Sequence, residues 1–405
     1  MKEICVFNNS SNAAIYGIGT YIKEYLVCLN KLGVRINLIT LVDTIGDITV
    51  KDDEEIRLIL IPFFVFLKAH SFNRNVCHLL RLYIEDSRDL IFHFNYIYHS
   101  SLIAGIKKYF PLSKTVFTIH YLQWSSELNG NISLYKHIIA QRKEQAFLDE
   151  YKDLLKNYDD EKLMFEQLDA IVCLSEDTLA LLANEYAIDK NKLHLIRNGL
   201  QYNFPVLSAA EKEKLRQKYC IPAKEKILLF VGRIHVIKGI FSLLSCFEKV
   251  VREYPDCRLV MTGDGEIETA LRKCGKVWSK ITCTGILNKK EVYEWYQIAD
   301  LAIFPSFYEE CSYAGIEMMA HGLPVIASDG YGVKNMFHQN AIITPIGTMD
   351  QLDQYEEKLK ENILKALKSE KLQIKLSNRS KEVFYSIYEI NKMISGYKNL
   401  FFSFF

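Results

Sequence analysis

Hydrophobic and polar positions follow two alternating patterns along this chain of 405 residues. Short runs of β-branched and other apolar residues are separated by longer stretches in which apolar residues recur at helical spacing. This alternation is typical of βαβ units in a parallel sheet. In the first half it predicts strands over residues 4–7, 35–41, 90–94, 115–119, 170–174 and 193–196, and helices over residues 20–32, 100–109 and 176–186.

The same alternation starts again after a polar stretch, residues 201–226, that contains two prolines and a patch rich in Lys and Glu. It predicts strands over residues 227–231, 257–262, 281–283, 301–304 and 325–327, and helices over residues 239–254, 266–274, 289–299 and 312–321. We therefore predict an α/β protein with two Rossmann-like, doubly wound domains, residues 1–200 and 201–384, and a ligand cleft between them.

The longest apolar run, residues 59–67, is far shorter than the roughly 20 residues of a membrane-spanning helix, and we interpret it as a buried strand. The chain starts with a β-like segment rather than with a signal peptide, which predicts a cytoplasmic protein. A composition of 49% hydrophobic and 24% charged residues with a net charge of +1 argues against nucleic-acid binding. The ten cysteines form no C-x-x-C pair, so neither a zinc site nor a disulfide framework is expected.

Two cations follow the strand predicted over residues 227–231. In open parallel sheets, ligands bind beyond the carboxyl ends of the strands, where helix N-termini offer backbone N–H groups. Here Arg233 and Lys238 stand between glycines in the loop 232–239. A guanidinium fork, an ammonium group and a closely approaching backbone together suit a diphosphate. The alternative is a solvated turn with two ordinary surface cations.

Two carboxylates follow the strand predicted over residues 301–304. Glu309 lies in the loop and Glu317 lies in the next helix, with seven residues between them. Each carboxylate can accept two hydroxyl hydrogen bonds, so the pair suits two separate diols. Glu310 is predicted to point to solvent. A structural role for Glu309 would be an acid favoured near a helix start, whereas a buried Glu317 requires a partner in either interpretation. The backbone amides predicted to face a phosphate are those of Ser312, Tyr313 and Ala314.

Candidate groups in the first half are fewer. Gly17 and Gly19 open the first helix and can bring backbone amides near a phosphate. They do not form a nicotinamide fingerprint, because a third glycine is missing, and Asp43 is better explained as a turn residue than as a ribose-binding acid. His120 ends the strand predicted over residues 115–119, on the ligand side of the sheet. We predict that it donates a hydrogen bond to the donor sugar or the departing phosphate; the alternative is a structural histidine.

These motifs, in this order, resemble the family 4 glycosyltransferases, retaining enzymes of the GT-B fold. The resemblance rests on His120 and on residues 16–19, 198–199, 232–239, 263–265, 296–300 and 304–328. It implies that Glu317 holds the nucleotide ribose and that Glu309 lies at the sugar hydroxyls. It also implies that Arg233 and Lys238 grip the diphosphate. A final helix, residues 385–405, would pack back on the first domain.

The resemblance implies a metal-independent hexosyltransferase that uses a nucleoside diphosphate sugar and no cofactor. The residues assigned to catalysis are Glu309, His120, Arg233 and Lys238. The acceptor would be a glycan, a lipid-linked oligosaccharide or a glycoprotein in surface polysaccharide or glycoconjugate synthesis. A lipid-linked acceptor would bring the protein to the inner membrane face as a peripheral protein. Tyr121, Cys311-Ser312 and the loop 330–334 depart from the family pattern, which leaves the sugar and the acceptor contacts open.

Three other functions compete with this one. A nucleotide-sugar epimerase or hydrolase of the same fold would need paired acid and base carboxylates, which the sequence does not indicate. A non-catalytic nucleotide-sugar-binding protein would use the same four residues Arg233, Lys238, Glu309 and Glu317 for binding alone. An oxidoreductase is disfavoured because neither half contains a dinucleotide fingerprint.

Overall fold

The computed structural model describes residues 2–9, 17–42, 45–53, 55–62, 69–96, 100–144, 149–348 and 351–404. The chain divides into two compact units. Unit 1 comprises Met1–Trp124, Ser133–Gly199 and Ile390–Phe405, and unit 2 comprises Ser125–Ile132 and Leu200–Glu389. Each unit contains its own predominantly parallel sheet with interspersed helices. The prediction of two doubly wound α/β domains is therefore confirmed.

The sheet of unit 1 has eight described strands. They are β1 (Glu3–Asn9), β2 (Arg35–Val42), β3 (Thr49–Asp52), β4 (Ile56–Pro62), β5 (Leu90–Phe94), β6 (Lys114–Ile119), β7 (Ala170–Cys173) and β8 (Leu193–Leu195). Their order is β3-β4-β2-β1-β5-β6-β7-β8, and only the pair of β3 with β4 is antiparallel among these described strands. The central strand β5 is buried at every position, as expected for a parallel sheet covered on both faces.

Helices connect these strands. They are α1 (Gly17–Leu32), α2 (Ala69–Leu80), α3 (Ser100–Tyr109), the short α4 (Trp124–Glu127), α5 (Ile132–Ala140), α6 (Lys152–Gln167) and α7 (Glu176–Asn184). The apolar run predicted as one buried strand, residues 59–67, contributes Ile59 and Ile61 to the buried face of β4, while its residues 63–67 lie outside the described part of the chain.

The sheet of unit 2 is entirely parallel over its described strands. They are β9 (Lys226–Val231), β10 (Cys257–Thr262), β11 (Ile281–Gly285), β12 (Leu301–Phe304), β13 (Val325–Ser328) and β14 (Ala341–Thr344). Their order is β11-β10-β9-β12-β13-β14. The strand order reverses between β9 and β12, which makes these two neighbours the topological switch point. The loops that follow β9 and β12 are therefore adjacent at the carboxyl edge of the sheet.

Eight α-helices are described in the Leu200–Glu389 part of unit 2. They are α8 (Ala209–Lys218), α9 (Ile240–Glu253), α10 (Ile267–Lys273), α11 (Lys289–Ile298), α12 (Tyr313–Ala320), α13 (Val333–Phe337), α14 (Leu352–Leu367) and α15 (Glu370–Val383). Asn288 caps α11: its side-chain oxygen accepts from the amide of Glu291, and its own amide donates to the Glu291 carboxylate, which completes a capping box. The fully buried Leu243, Phe247 and Ile363 of α9 and α14 belong to the hydrophobic core of this unit.

The last helix, α16 (Ile390–Ser403), belongs to unit 1 and follows a π-helical turn over Phe384–Tyr388. It packs on α1, where the hydroxyl oxygens of Tyr397 and Tyr21 lie 2.6 Å apart. None of the described helices is long and apolar enough to cross a membrane.

Candidate functional site

The loop after β9, residues 232–239, contacts the loop after β12 at a glycine. A 3-10 turn over Val236–Lys238 ends at Gly239, whose φ of +66° lies in the left-handed region. An added Cβ at Gly239 would collide with the carbonyl oxygen of Pro305. The amide of Phe307 also donates to the carbonyl of Ile237 at 2.8 Å. Glycine therefore allows the two loops to touch.

This approach brings Lys238 and Glu309 together. The Lys238 Nζ lies 2.6 Å from Glu309 Oε1, and the two side chains are only 20% and 11% exposed. The hydroxyl of Ser306 donates to the same carboxylate oxygen at 3.1 Å. The backbone amide of Glu309 donates to the carbonyl of Tyr331 at 2.9 Å. The carboxylate is consequently fixed through both its side chain and its backbone, beside a cation.

Arg233, at the start of the same loop, is exposed. The loop behind it is packed against residues 263–265. An added Cβ at Gly263 would collide with the carbonyl oxygen of Gly232, and the amide of Ile234 donates to the carbonyl of Asp264 at 2.8 Å. The backbone that carries Arg233 is therefore held in place.

The helix α12 starts at this edge of the sheet. Ser312 is its N-cap, and its hydroxyl accepts from the amide of Gly315. The amide of Ser312 donates to the sulfur of Met336 at 3.3 Å. A thioether is a weak acceptor, so a phosphate oxygen would be a better partner for this amide. Tyr313 is buried and Ala314 is half-buried.

Glu317, the fifth residue of α12, is a buried carboxylate with two partners. It forms an ion pair with Lys289, the first residue of α11. The hydroxyl of Tyr296 donates to its other oxygen at 3.1 Å. Burial raises the pKa of Glu317 above its usual value, and the Lys289 ammonium offsets part of that rise. The side chain of Lys289 is 45% exposed, so the pair joins a buried anion to a cation at the surface.

The expectation that Glu310 points to solvent is wrong. Glu310 is only 4% exposed, and its carboxylate accepts a hydrogen bond from the hydroxyl of Tyr308. The ring of Tyr308 stacks on Tyr331, with ring centroids 5.1 Å apart. This stacking directs the hydroxyl and its carboxylate partner into the protein.

Lys289 was not among the predicted site residues, and Tyr296 was named only as part of the motif 296–300. Their spacing carries a signal, because residues seven apart lie on the same face of a helix. A helix that presents Lys and Tyr on one face is suited to a buried acid such as Glu317.

In unit 1, His120 follows β6 and is held by two neighbours. Its Nε2 lies 3.2 Å from Asn95 Oδ1, and its ring is edge-on to Tyr21 at a centroid distance of 4.5 Å. Burial lowers the pKa of His120 to about 3, so the imidazole is neutral near pH 7. Gly17 begins α1 and is exposed, whereas Gly19 is buried in its first turn. Tyr16 and Asp43 lie outside the described residues.

The described residues contain neither a metal-ligand cluster nor a disulfide bond. Among these residues, no cluster of three or more His, Cys, Asp or Glu side chains is placed to hold a metal ion. None of the ten cysteines forms a disulfide bond, and all but Cys220 and Cys283 are buried.

Two solved structures show the class of fold. Sucrose-phosphate synthase from Thermosynechococcus elongatus matches with a TM-score of 0.74 at 18% sequence identity, over 100% of this chain and 99% of that chain. HepE from Anabaena, solved in complex with UDP and glucose, matches with a TM-score of 0.73 at 12% identity, over 100% of both chains. The chain has the two-domain GT-B fold of these proteins.

Sequence comparison then identifies the family. The model "Glycosyltransferase Family 4" matches residues 15–203, and the model "Glycosyl transferases group 1" matches residues 211–383. The chain belongs to the family 4 glycosyltransferases, so the family predicted from the sequence is confirmed.

Curated relatives agree with this family and differ in their activities. Alpha-monoglucosyldiacylglycerol synthase from Streptococcus pneumoniae is 25% identical over 345 residues, which cover 82% of this chain and 73% of that protein. D-inositol 3-phosphate glycosyltransferase from Xylanimonas cellulosilytica is 26% identical over 180 residues, 42% of each chain. An uncharacterized glycosyltransferase from Methanocaldococcus jannaschii is 29% identical over 168 residues, 40% of this chain and 43% of that protein. The chain thus matches less than half the length of the last two.

Proposed function

We propose that this glycosyltransferase moves a hexosyl group from a nucleoside diphosphate sugar to an acceptor hydroxyl, with retention of anomeric configuration and without a metal ion or other cofactor. The observation that carries the proposal is the pairing of Lys238 with Glu309 at 2.6 Å just before α12, the helix that also holds the buried carboxylate of Glu317. The N-terminal part of α12 and the loop before it thus bring together a fixed cation and two carboxylates in distinct environments.

In this proposal, different residues of unit 2 bind different parts of the donor. Glu317, paired with Lys289, accepts hydrogen bonds from the two ribose hydroxyls. Lys238 and the exposed Arg233 neutralise the diphosphate together with the amides at the start of α12. Because charge develops on the leaving diphosphate in the transition state, fixed cations there accelerate the reaction. Glu309 accepts hydrogen bonds from sugar hydroxyls.

The nature of the donor and acceptor is supported by the relatives. HepE was solved with UDP and glucose, which supports a nucleoside diphosphate and a hexose. The name of the streptococcal relative, a monoglucosyldiacylglycerol synthase, supports a glucosyl donor and a lipid among the candidate acceptors. We place the protein in the cytoplasm, peripheral at the inner membrane face, in the synthesis of a surface polysaccharide or glycoconjugate. Glycan, lipid-linked and glycoprotein acceptors are the three classes to test.

Turnover tests this proposal directly. The full chain is incubated with UDP-, GDP-, ADP- and TDP-hexoses in EDTA, with and without an acceptor of each class, and nucleoside diphosphate release is measured. We expect one donor to be consumed only with acceptor, at a rate that EDTA does not change, and a product with the donor's anomeric configuration. Release of nucleoside diphosphate without an acceptor would indicate a hydrolase. Isomerisation of the donor would indicate an epimerase, and nucleotide-sugar binding without turnover would indicate a sensor. An inverted product or inhibition by EDTA would contradict retention or metal independence.

A further inference from the structure

The amide of Asn95 has a fixed orientation. Asn95 follows β5 and is 1% exposed. Its Nδ2 donates to the carbonyl oxygen of Phe7 at 3.2 Å. A carbonyl oxygen can only accept, so the NH₂ group of Asn95 must face Phe7 and its Oδ1 must face His120. This oxygen lies 3.2 Å from Nε2 of His120 and has no proton to give. Nε2 of His120 is therefore the donor of that hydrogen bond.

The other ring nitrogen of His120 then has no proton. A neutral imidazole carries one N–H, and burial lowers the pKa of His120 to about 3, so a second proton is absent near pH 7. No hydrogen bond joins Nδ1 to any residue in the described part of the chain. The ring plane is set by Tyr21, whose hydroxyl lies 2.6 Å from that of Tyr397 and 3.2 Å from the hydroxyl of Thr118.

We propose that Asn95 is a positioning residue that holds His120 as the Nε2–H tautomer, so that Nδ1 accepts a hydrogen bond from a substrate hydroxyl. This role rests on the proposed function, because it supplies the substrate. It revises the expectation that His120 donates to the donor sugar or to the departing phosphate. The single N–H of the ring is already given to Asn95, and a bare nitrogen repels an anionic oxygen. The chemistry that His120 recognises is a hydroxyl group of the sugar donor or the acceptor.

The tautomer is measured by long-range proton–nitrogen NMR correlation on the full chain labelled with ¹⁵N-histidine. His120 is assigned by the signals that His120→Gln removes. In the wild type we expect a protonated Nε2 and an unprotonated Nδ1. In Asn95→Leu the fixed acceptor is gone, and we expect His120 to populate both tautomers. His93 serves as an internal reference, because its two nitrogens contact Tyr25 and Thr118 and not Asn95.

Activity gives an independent measurement. With the consumed nucleotide sugar as donor, kcat/KM of Asn95→Leu should fall about tenfold, the scale of one hydrogen bond. The matched control is Asn37→Leu, which removes another fully buried asparagine of unit 1, one that bonds Glu3. This control should keep the His120 tautomer and, per folded molecule, the wild-type kcat/KM.

Each outcome decides one point. A protonated Nδ1 in the wild type, or an unchanged tautomer in Asn95→Leu, would overturn the role of Asn95. A shifted tautomer with undiminished kcat/KM would show that His120 does not need its Nδ1 for substrate. The predicted tautomer in a protein that consumes none of the nucleotide sugars would contradict the proposed function and leave the assignment of Nε2–H to Asn95 in place.

Discussion

Lys289 and Glu317 form an ion pair whose carboxylate is 5% exposed while its lysine side chain is 45% exposed. A buried carboxylate without a partner would be costly, and the lysine offsets part of the cost of ionising Glu317. Because the ammonium is at the surface, it can move into water when a diol takes its place on the carboxylate. If Glu317 binds the ribose as proposed, Lys289 is a counter-ion that the ribose can displace.

Removing this counter-ion should make nucleotide binding depend on pH. In Lys289→Met only burial and the hydroxyl of Tyr296 act on Glu317, so its pKa should rise further. A protonated carboxyl accepts fewer hydroxyl hydrogen bonds, and we expect affinity for the cognate nucleoside diphosphate to fall about tenfold more than in the wild type between pH 8 and 6. Isothermal titration calorimetry measures this. The neighbouring Lys290→Met is the control, and parallel pH profiles of the two variants would contradict the role of Lys289.

The pKa of Glu317 also predicts a trade-off between stability and binding. A carboxyl whose pKa is raised in the folded state stabilises the fold below its ordinary pKa, and that contribution is lost as the pH rises through the raised value. Once ionised, Glu317 therefore stabilises the fold less than its protonated form does. We expect Glu317→Gln to have the same or a higher Tm than the wild type in the absence of ligand. A Tm lower by about 5 °C or more would show that the ion pair is a net stabilising element.

Lys238 should be required for turnover. In Lys238→Met the diphosphate loses a fixed cation, and we expect kcat to fall about 100-fold, as for the loss of one group that stabilises a developing anion. The matched control is Lys249→Met, which removes the lysine of a second 2.6 Å pair, with Glu357, on the surface of unit 2. Steady-state kinetics on both variants test this. Equal losses of activity would assign the effect to general destabilisation.

Alanine substitutions at two glycines with the same φ distinguish the cost of backbone strain from the cost of a steric collision. Gly33 and Gly239 both have a φ of +66°. An added Cβ meets nothing within 4 Å at Gly33 but collides with the carbonyl oxygen of Pro305 at Gly239. Gly33→Ala should cost about 1–2 kcal/mol of unfolding free energy, and Gly239→Ala should cost about 3 kcal/mol or more. Urea unfolding measures both, and similar costs would contradict the close approach of the two loops.

Unit 1 should lose stability in acid because of its buried histidines. Burial lowers the pKa of His93 to about 3, and His93 is fully buried. A lowered histidine pKa gives stability that is present above the unfolded pKa near 6.5 and is lost as the pH falls toward 3. Each such histidine contributes a slope of about 1.4 kcal/mol per pH unit in that window. His93→Gln should reduce this dependence of the unfolding free energy on pH, whereas substitution of the exposed His338 by Gln should leave it unchanged. Equal slopes in His93→Gln and the wild type would contradict the neutral state of His93.

The sequence predicts the elements around the site because their signals are local. The predicted limits of β10 and β12 match the structure, and the loop cations and carboxylates were placed correctly at the ends of β9 and β12. Strands β3 and β14 were not predicted. Each is only four residues long, with partly exposed positions that give a weak alternating pattern.

Pairings across the fold could not be read from spacing along the chain. Lys289 reaches Glu317 from another helix, and Asn95 reaches His120 from a neighbouring strand. The order of strands in the sheet decides such contacts. Glu310 illustrates the same limit, because its hydrogen-bond partner Tyr308 stacks on Tyr331, which lies in the loop after β13.

The most direct test of the site is a thermal-shift panel of UDP, GDP, ADP, TDP and NAD against the wild type and Glu317→Gln. A ligand at 100 times its Kd stabilises the folded state by about 2.7 kcal/mol. We expect one nucleoside diphosphate to raise the Tm of the wild type and this rise to be lost in Glu317→Gln. An equal rise in both proteins, or stabilisation by NAD alone, would contradict the assignment of Glu317 to the nucleotide of a sugar donor.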